Sequence, residues 1–349
     1  MVWGYRHYLS GAVDQDGTTR PVGRVDNPDL SEIDDAKRPA VATALERKLE
    51  RLPEGHPSSP RYPDAHRTAD RHRPLTDADH AERTSEVSAT LADARDSHLA
   101  TDYQYTADTS RKVWTADRAV LHDEIIDELY DKADSVPCEG TAILAGGLPG
   151  SGKTTVLTTV ARIDQTKYLT VNPDEIKELM AARGMVPELP GLTPMEASDL
   201  VHEESSYIAK QLALRAYADG KNIIWDITMS SLVSTRQRLS ELRSAGYGQV
   251  EGVFVDIPVE VSVRRAEARH QEGHEKYRQG HGLGGRYVDP DLIRAQSDAD
   301  SGSRNRATFD QIKPDLDHWR VYDNSIDGRE AILVEESVVK DRLHREDRA

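Results

Sequence analysis

The sequence predicts an α/β fold, a parallel sheet with helices on both faces, preceded by an N-terminal extension that is mostly helical and irregular. Three observations predict it. From Thr141 onward short apolar runs alternate with stretches of helical period. A glycine-rich turn falls between the first of those runs and the helix after it. Before residue 75, prolines and charges leave little that can bury a face.

The extension and a proline-rich linker occupy 1–75. Ile33 to Leu52 reads as one helix with Pro39 in its first turn, and prolines at 53, 57, 60, 63 and 74 keep the following stretch extended. A helical segment spans 76–136. Thr76 is placed to cap a helix whose Asp77 and Asp79 suit the dipole and whose Val87, Leu91 and Ala94 share a face. A second helix, Thr115 to Ala133, shows Val120, Leu121, Ile125 and Leu129 on one side, and both helices are expected to pack on the core.

The core domain is 137–349. Its strand-like runs are Ala142–Ala145, Tyr168–Val171, Ile223–Trp225, Val250–Val255, Trp319–Tyr322 and Ala331–Val334. Helical patterns lie between them at Gly152–Arg162, Asp174–Arg183, Met195–Ala218, Ser231–Ala245, Val259–Glu272 and Pro290–Asp300. Right-handed crossovers then bring the C-terminal ends of the strands, and the ligand, to one edge.

Composition excludes several classes. The 349 residues carry 45 Lys+Arg against 61 Asp+Glu, a net charge of −16, and the pI is near 5.3. Nonspecific nucleic-acid binding draws on Lys and Arg, so no nucleic-acid partner is expected. Mean hydropathy is −0.66, no run approaches the roughly 20 apolar residues of a membrane span, and the N-terminus has no signal-peptide core. Cys138 is the only cysteine, which rules out an internal disulfide. The expectation is a cytoplasmic protein without a membrane partner.

The turn at Gly147-Leu148-Pro149-Gly150-Ser151-Gly152-Lys153-Thr154-Thr155 is a full Walker A motif between a strand and a helix. Glycines let backbone N–H groups face phosphate oxygens, and the helix directs its positive end to the same place. Lys153 is placed to reach the outer phosphates and Thr154 to bind Mg²⁺. At average glycine frequency the pattern arises by accident in about one chain of this length per hundred, before flanking elements are required. The chain therefore has a nucleoside triphosphate site, with ATP and Mg²⁺ as expected cofactors, and its α/β domain is of the P-loop NTPase or kinase type.

Asp226 is followed by Ile227, Thr228 and Met229, neither a GTPase D-x-x-G nor the Asp-Glu of motor ATPases. A small-molecule kinase remains. Asp174 follows the second strand after Pro173 and is the candidate to orient an acceptor hydroxyl; a simple helix N-cap is the other reading. An ordinary carboxylate pKa near 4 would suffice, because a loose phosphoryl-transfer transition state needs alignment more than basicity. Asp226 can hold the Mg²⁺ shell or a substrate hydroxyl. Arg264 to Arg286 reads as a basic, glycine-interrupted lid, with Arg269 and Arg286 the leading phosphate ligands. His270, His274 and His281 read as solvated residues of that loop. Glu203, at the head of a long helix, and Thr228 are candidate acceptor contacts beside Asp226.

Taken in order, these features resemble the zeta-toxin family of P-loop kinases, over residues 115–325. The resemblance rests on Ile143–Thr155, Asp174, the helix with His202–Lys210, the strand ending at Asp226, Arg269 and Arg286, and Trp319–Asn324. It implies ATP-dependent phosphorylation of the 3′-hydroxyl of UDP-N-acetylglucosamine, with Asp174 as base, Lys153 and Thr154 on ATP–Mg²⁺, and Arg269 and Arg286 clamping the transferred group. It also implies an antitoxin partner. Two positions depart from it. Asp226-Ile227-Thr228 replaces Glu-Gly-Thr, and Lys210 falls where the toxins carry a substrate-contacting glutamate. The alternatives are a kinase of another small molecule (an antibiotic or nucleoside) and a nucleotide-dependent binding switch.

Overall fold

The computed structural model of the protein describes residues 75–108 and 113–338, which fall within one compact unit, Arg71–Ala349. The helix expected over 33–52 and the linker over 53–74 lie outside the described residues.

Helix α1 (Asp77–Asp96) opens with a capping box. The Thr76 hydroxyl accepts from Asp79 N at 3.3 Å, and the Asp79 carboxylate accepts from Thr76 N at 2.7 Å. Val87, Leu91 and Ala94 are buried together with Leu200 and Tyr287, as their spacing predicts. A short α2 (Thr101–Gln104) and a small hairpin, β1 (Thr106–Asp108) with β2 (Val113–Trp114), lead into α3 (Ala116–Asp131). Here the expected face needs correcting: Val120 is 58% exposed, while Arg118 and His122 are buried beside Ile125, Ile126 and Leu129. Charge chooses the face. Glu204, fully buried, accepts from Arg118 Nε at 2.6 Å and Nη2 at 2.9 Å and from His122.

This pairing yields the first testable consequence. Glu204→Ala strands the Arg118 charge in the interior, and unfolding in urea should show a loss of about 3–5 kcal/mol. Burial opposes ionisation of Glu204, but His122 and Arg118 outweigh it and hold the carboxyl below its ordinary range. Its contribution is therefore present above the unfolded-state pKa and is lost as pH falls through the folded value.

Strand β3 (Thr141–Gly146) runs through the glycine-rich turn into α4, which begins at Lys153–Thr155 and widens into a π turn at Val156–Val160. Then come β4 (Leu169–Val171), α5 (Pro173–Ala182), a 3₁₀ turn at Ala197–Val201, α6 (His202–Asp219), β5 (Ile223–Asp226) and α7 (Leu232–Ser244). The chain continues with β6 (Gln249–Asp256), α8 (Val259–Arg278), α9 (Pro290–Arg294) and the hairpin β7 (Ser297–Asp298) and β8 (Gly302–Ser303). It ends with α10 (Arg304–Ile312), β9 (His318–Asp323) and β10 (Ile332–Glu336).

The central sheet has the order β10-β9-β6-β3-β5-β4, parallel except for β10. Strand alternation divides β3 between two cores. Ala142 and Leu144 join the large cluster built with α3, α5, α6 and α7; Ile143 and Ala145 join a smaller one with Val156 and Leu157 of α4. The expected parallel sheet is present in β4, β5, β3, β6 and β9, and only the edge strand departs from it. Residues 324–331 are too few for a crossover helix, so β10 returns antiparallel to β9. Two helices also differ from their predicted bounds. The pattern assigned to 290–300 stops at Arg294 and gives way to the β7–β8 hairpin, and α8 runs on through Gly273 to Arg278. No helix among the described residues is long and apolar enough to cross a membrane.

Candidate active site

The turn after β3 is shaped by glycine where no side chain fits. Gly147 has φ 145°, and a Cβ there would stand 2.5 Å from Val255 O; Gly152 has φ 83°, with Asn324 Nδ2 2.6 Å from where its Cβ would be. The loop is braced from outside. Pro149 O accepts from Ser262 Oγ at 2.6 Å, and Ser151 O accepts from Asn324 Nδ2 at 2.7 Å. Arg265 donates to Gly150 O at 3.4 Å and to Asn324 O at 2.8 Å. Within the loop, Ser151 Oγ is buried with no hydrogen-bond partner among the described residues. Lys153, at the head of α4, places its Nζ 3.4 Å from Gly147 O and 3.5 Å from Asp226 Oδ1.

Asp174 stands beside this loop, and the cap question is answered by its neighbour. Asn172 is the N-cap of α5, its Oδ1 accepting from Asp174 N at 2.9 Å, with Pro173 in the first turn. The Asp174 carboxylate is thus not spent on the helix. It is ion-paired to Arg286 and lies 3.6 Å from Lys177 Nζ. The side chain keeps 47% of its surface exposed. Partial burial opposes its charge, but Arg286, Lys177 and Lys153 outweigh that and take its carboxyl down to about 2. The ordinary pKa expected for this residue is corrected accordingly. Asp226, at the end of β5, moves the other way: burial pushes its carboxyl up, Lys153 opposes this, and the neighbouring negative charge of Asp174 adds to it. Asn172 Nδ2 donates to Asp226 Oδ2 at 3.3 Å.

A cavity of about 280 Å³ opens beside Asp226, lined by Thr154, Gln165, Thr170, Asn172 and Glu175 among others. Thr154 and Asp226 thus face one space with hard oxygen donors, a set that suits Mg²⁺ held jointly with phosphate oxygens.

The basic stretch 264–286 is not a continuous lid. Arg264, Arg265, Arg269, Lys276 and Arg278 lie on α8, and Arg264 and Arg265 both pair with Asp327. Arg269 shares the field of the site: burial and the like charge of Arg286 push its guanidinium down, while Asp174 draws it up. Arg286 comes from the loop beyond α8. His270 and His274, read as solvated from the glycines around them, are buried against Glu196. Glu203 is exposed at the start of α6, one residue before the buried Glu204. The Thr228 hydroxyl meets Ser230 Oγ at 3.2 Å, and Lys210 pairs with Glu241 at 3.4 Å.

One residue near Asp174, Lys177, was not singled out from the sequence. Lys177 Nζ is 3.3 Å from His202 Nδ1, so a cationic side chain from α5 meets an imidazole from the head of α6 beside Asp174. The i, i+3 spacing from Asp174 to Lys177 was the available signal. His202 belongs to the helix head already marked in the sequence, and the packing of α5 on α6 brings it near.

A mostly parallel sheet in this order, with a Walker A loop after its central strand, is the fold of a P-loop kinase. The family model of the zeta toxins matches residues 126–328, and the chain belongs to that family. Among solved structures it is similar to AvrRxo1-ORF1 in complex with AvrRxo1-ORF2 and sulphate ions, at 21% identity and TM-score 0.49, covering 65% of this chain and 69% of that one. A complex of the same pair with ATP gives 22% and 0.48 over the same shares. The PezAT chromosomal toxin–antitoxin system of Streptococcus pneumoniae gives 14% and 0.42, covering 61% and 78%. No curated protein matches the chain significantly in sequence.

Proposed function

We propose that the protein is an ATP- and Mg²⁺-dependent kinase that phosphorylates a hydroxyl of UDP-N-acetylglucosamine or a related sugar nucleotide. The observation that carries this reading is the ion pair of Asp174 with Arg286 beside the Walker A lysine. It supports the reading because a carboxylate, Arg286 and Lys153 share one electrostatic field.

In this mechanism the loop 147–155 cradles the phosphates through its backbone, and Lys153 turns from Asp226 to the outer phosphates. Thr154 and Asp226 would hold Mg²⁺, which would supply neutralising charge to the phosphates. Arg286, joined by Arg269, moves from Asp174 onto the γ-phosphoryl group as ATP binds. Asp174 is then relieved of its closest cation, and its proton affinity rises at the moment a base is needed. The acceptor oxygen attacks the γ-phosphorus, the bond to the β-bridging oxygen breaks, ADP leaves, and the hydroxyl proton passes to Asp174. Phosphoryl transfer through a loose transition state depends mainly on such alignment and charge.

The sugar nucleotide is supported by family membership. Lys210 engages Glu241 where the toxins carry a substrate glutamate, and this favours a second reading in which another alcohol, an antibiotic or a nucleoside, is the acceptor. Mass spectrometry of ATP and UDP-N-acetylglucosamine after incubation with wild type and Lys153→Ala tests both. The sugar should gain one phosphate with wild type only. Label passing from ATP to some other alcohol, and never to the sugar, would transfer the assignment to the second reading. A neutralising protein partner belongs to the same proposal and rests on the family alone.

A further inference from the structure

Glu196 is a fully buried carboxylate with no part in the chemistry above. Its Oε1 accepts from Arg83 Nε at 3.0 Å and lies 2.9 Å from His270 Nε2; its Oε2 accepts from Arg83 Nη2 and from Thr193 N at 2.8 Å. His274 Nδ1 is 3.2 Å from Oε1 but out of line for a hydrogen bond. Burial opposes the charge of Glu196, but His270, His274 and Arg83 outweigh it and hold the carboxyl well below its ordinary range. By spacing alone, two histidines one turn apart beside a carboxylate suggest a metal site. No group of three or more His, Cys, Asp or Glu residues among the described residues could hold a metal, and here the counter-charge is the Arg83 guanidinium. The hub joins three segments: α1 through Arg83, α8 through His270, and the turn at 193–196.

The loop carrying Arg286 is set into the same hub. Met195 N donates to Leu283 O at 3.0 Å. The backbone at Gly285 lies on α8 so closely that a Cβ would stand 1.9 Å from His270 O, and a Cβ on Gly273 would stand 2.4 Å from Gly285 Cα. This contact explains a glycine inside α8. On the other side of Arg286, Tyr287 is buried in the cluster of Val87 and Leu91 of α1. Arg286 therefore emerges between two clamped neighbours, one on α8 and one on α1.

We infer that α1, which precedes the region matched by the zeta toxin family, is a wall of the active site. Through Arg83, Glu196 and Tyr287 it positions the 283–287 loop so that Arg286 meets Asp174. Arg83 and Glu196 are positioning residues. The inference rests on the proposed role of Arg286 in transfer.

Hydrogen–deuterium exchange on the full chain tests the positioning directly. Arg83→Met should accelerate exchange across 283–288 by about tenfold or more while 147–156 stays at the wild-type rate. Because that variant also leaves Glu196 buried without its counter-charge, Arg83→Lys, which keeps the charge and loses the fork, is measured beside it. A loop no faster than wild type in the folded variants overturns the inference, and so does an acceleration spread evenly over the chain. Exchange is indifferent to the acceptor, so this result stands even if the kinase reading fails. A kinetic cycle tests the use of the positioning. Arg83→Lys should lower kcat about tenfold with KM for ATP unchanged, and by less than about twofold in an Arg286→Ala background. Equal losses in both backgrounds would mean that Arg83 does not act through Arg286.

Discussion

Asp174→Asn should slow phosphoryl transfer by about 10²–10⁴, the usual worth of a positioned general base, while ATP binds within about threefold of wild type. The substitution keeps shape and removes the proton acceptor. It also removes a negative charge from beside the triphosphate, so any change in ATP affinity should be toward tighter binding. Asn172 caps α5 and the Asp174 side chain does not, so the helix should remain intact. Single-turnover kinetics with calorimetric titration of ATP separates the two effects. Full turnover by this variant would remove Asp174 from the mechanism.

Arg286→Ala is expected to cost about 10³–10⁵ in rate, the range seen when an arginine on the transferred phosphoryl group is lost. A second signature has a definite sign. Arg286 is the strongest of the cations that lower the Asp174 carboxyl to about 2. Without it the carboxyl should titrate at higher pH, so at a given acidic pH a larger fraction is protonated and the acid limb of the ligand-free titration moves up. Carbon-13 NMR of the Asp174 side chain follows this. An unchanged titration, with activity retained, would show that the two groups do not share a site in solution. The converse holds for Asp226, whose carboxyl is raised by burial and by the Asp174 charge. Asp174→Asn should therefore lower it.

The Walker A turn was the most legible part of this molecule because its requirements are local. A loop that must turn its N–H groups on phosphate needs glycines at set positions, and those requirements can be read along the chain. The strands were legible for a similar reason: β3, β5, β6 and β9 bury consecutive residues, and apolar runs report that directly. The charged interior was not legible. Glu196 and Glu204 sit on one stretch and each takes an arginine and a histidine from elements far away in sequence, Arg83 with His270 and Arg118 with His122. Nothing in the periodicity of α3 or α8 shows which polar residues will find such partners, so Val120 was assigned to the wrong face and His270 and His274 to solvent. The same blindness produced the lid. Gly273 looks like a break in a helix, and only the close approach of Gly285 shows why a helix keeps it.

The chain alone thus determined that a sheet with a glycine-rich Walker A turn would form, and which carboxylate would follow the next strand along the chain, since both depend on residues within a few positions of one another. The tertiary structure decided which cations reach that carboxylate, where the buried acids find their counter-charges, and that β10 runs backward. Those outcomes depend on distances between segments remote in sequence and on the cost of leaving a charge unpaired away from water, which no local pattern records.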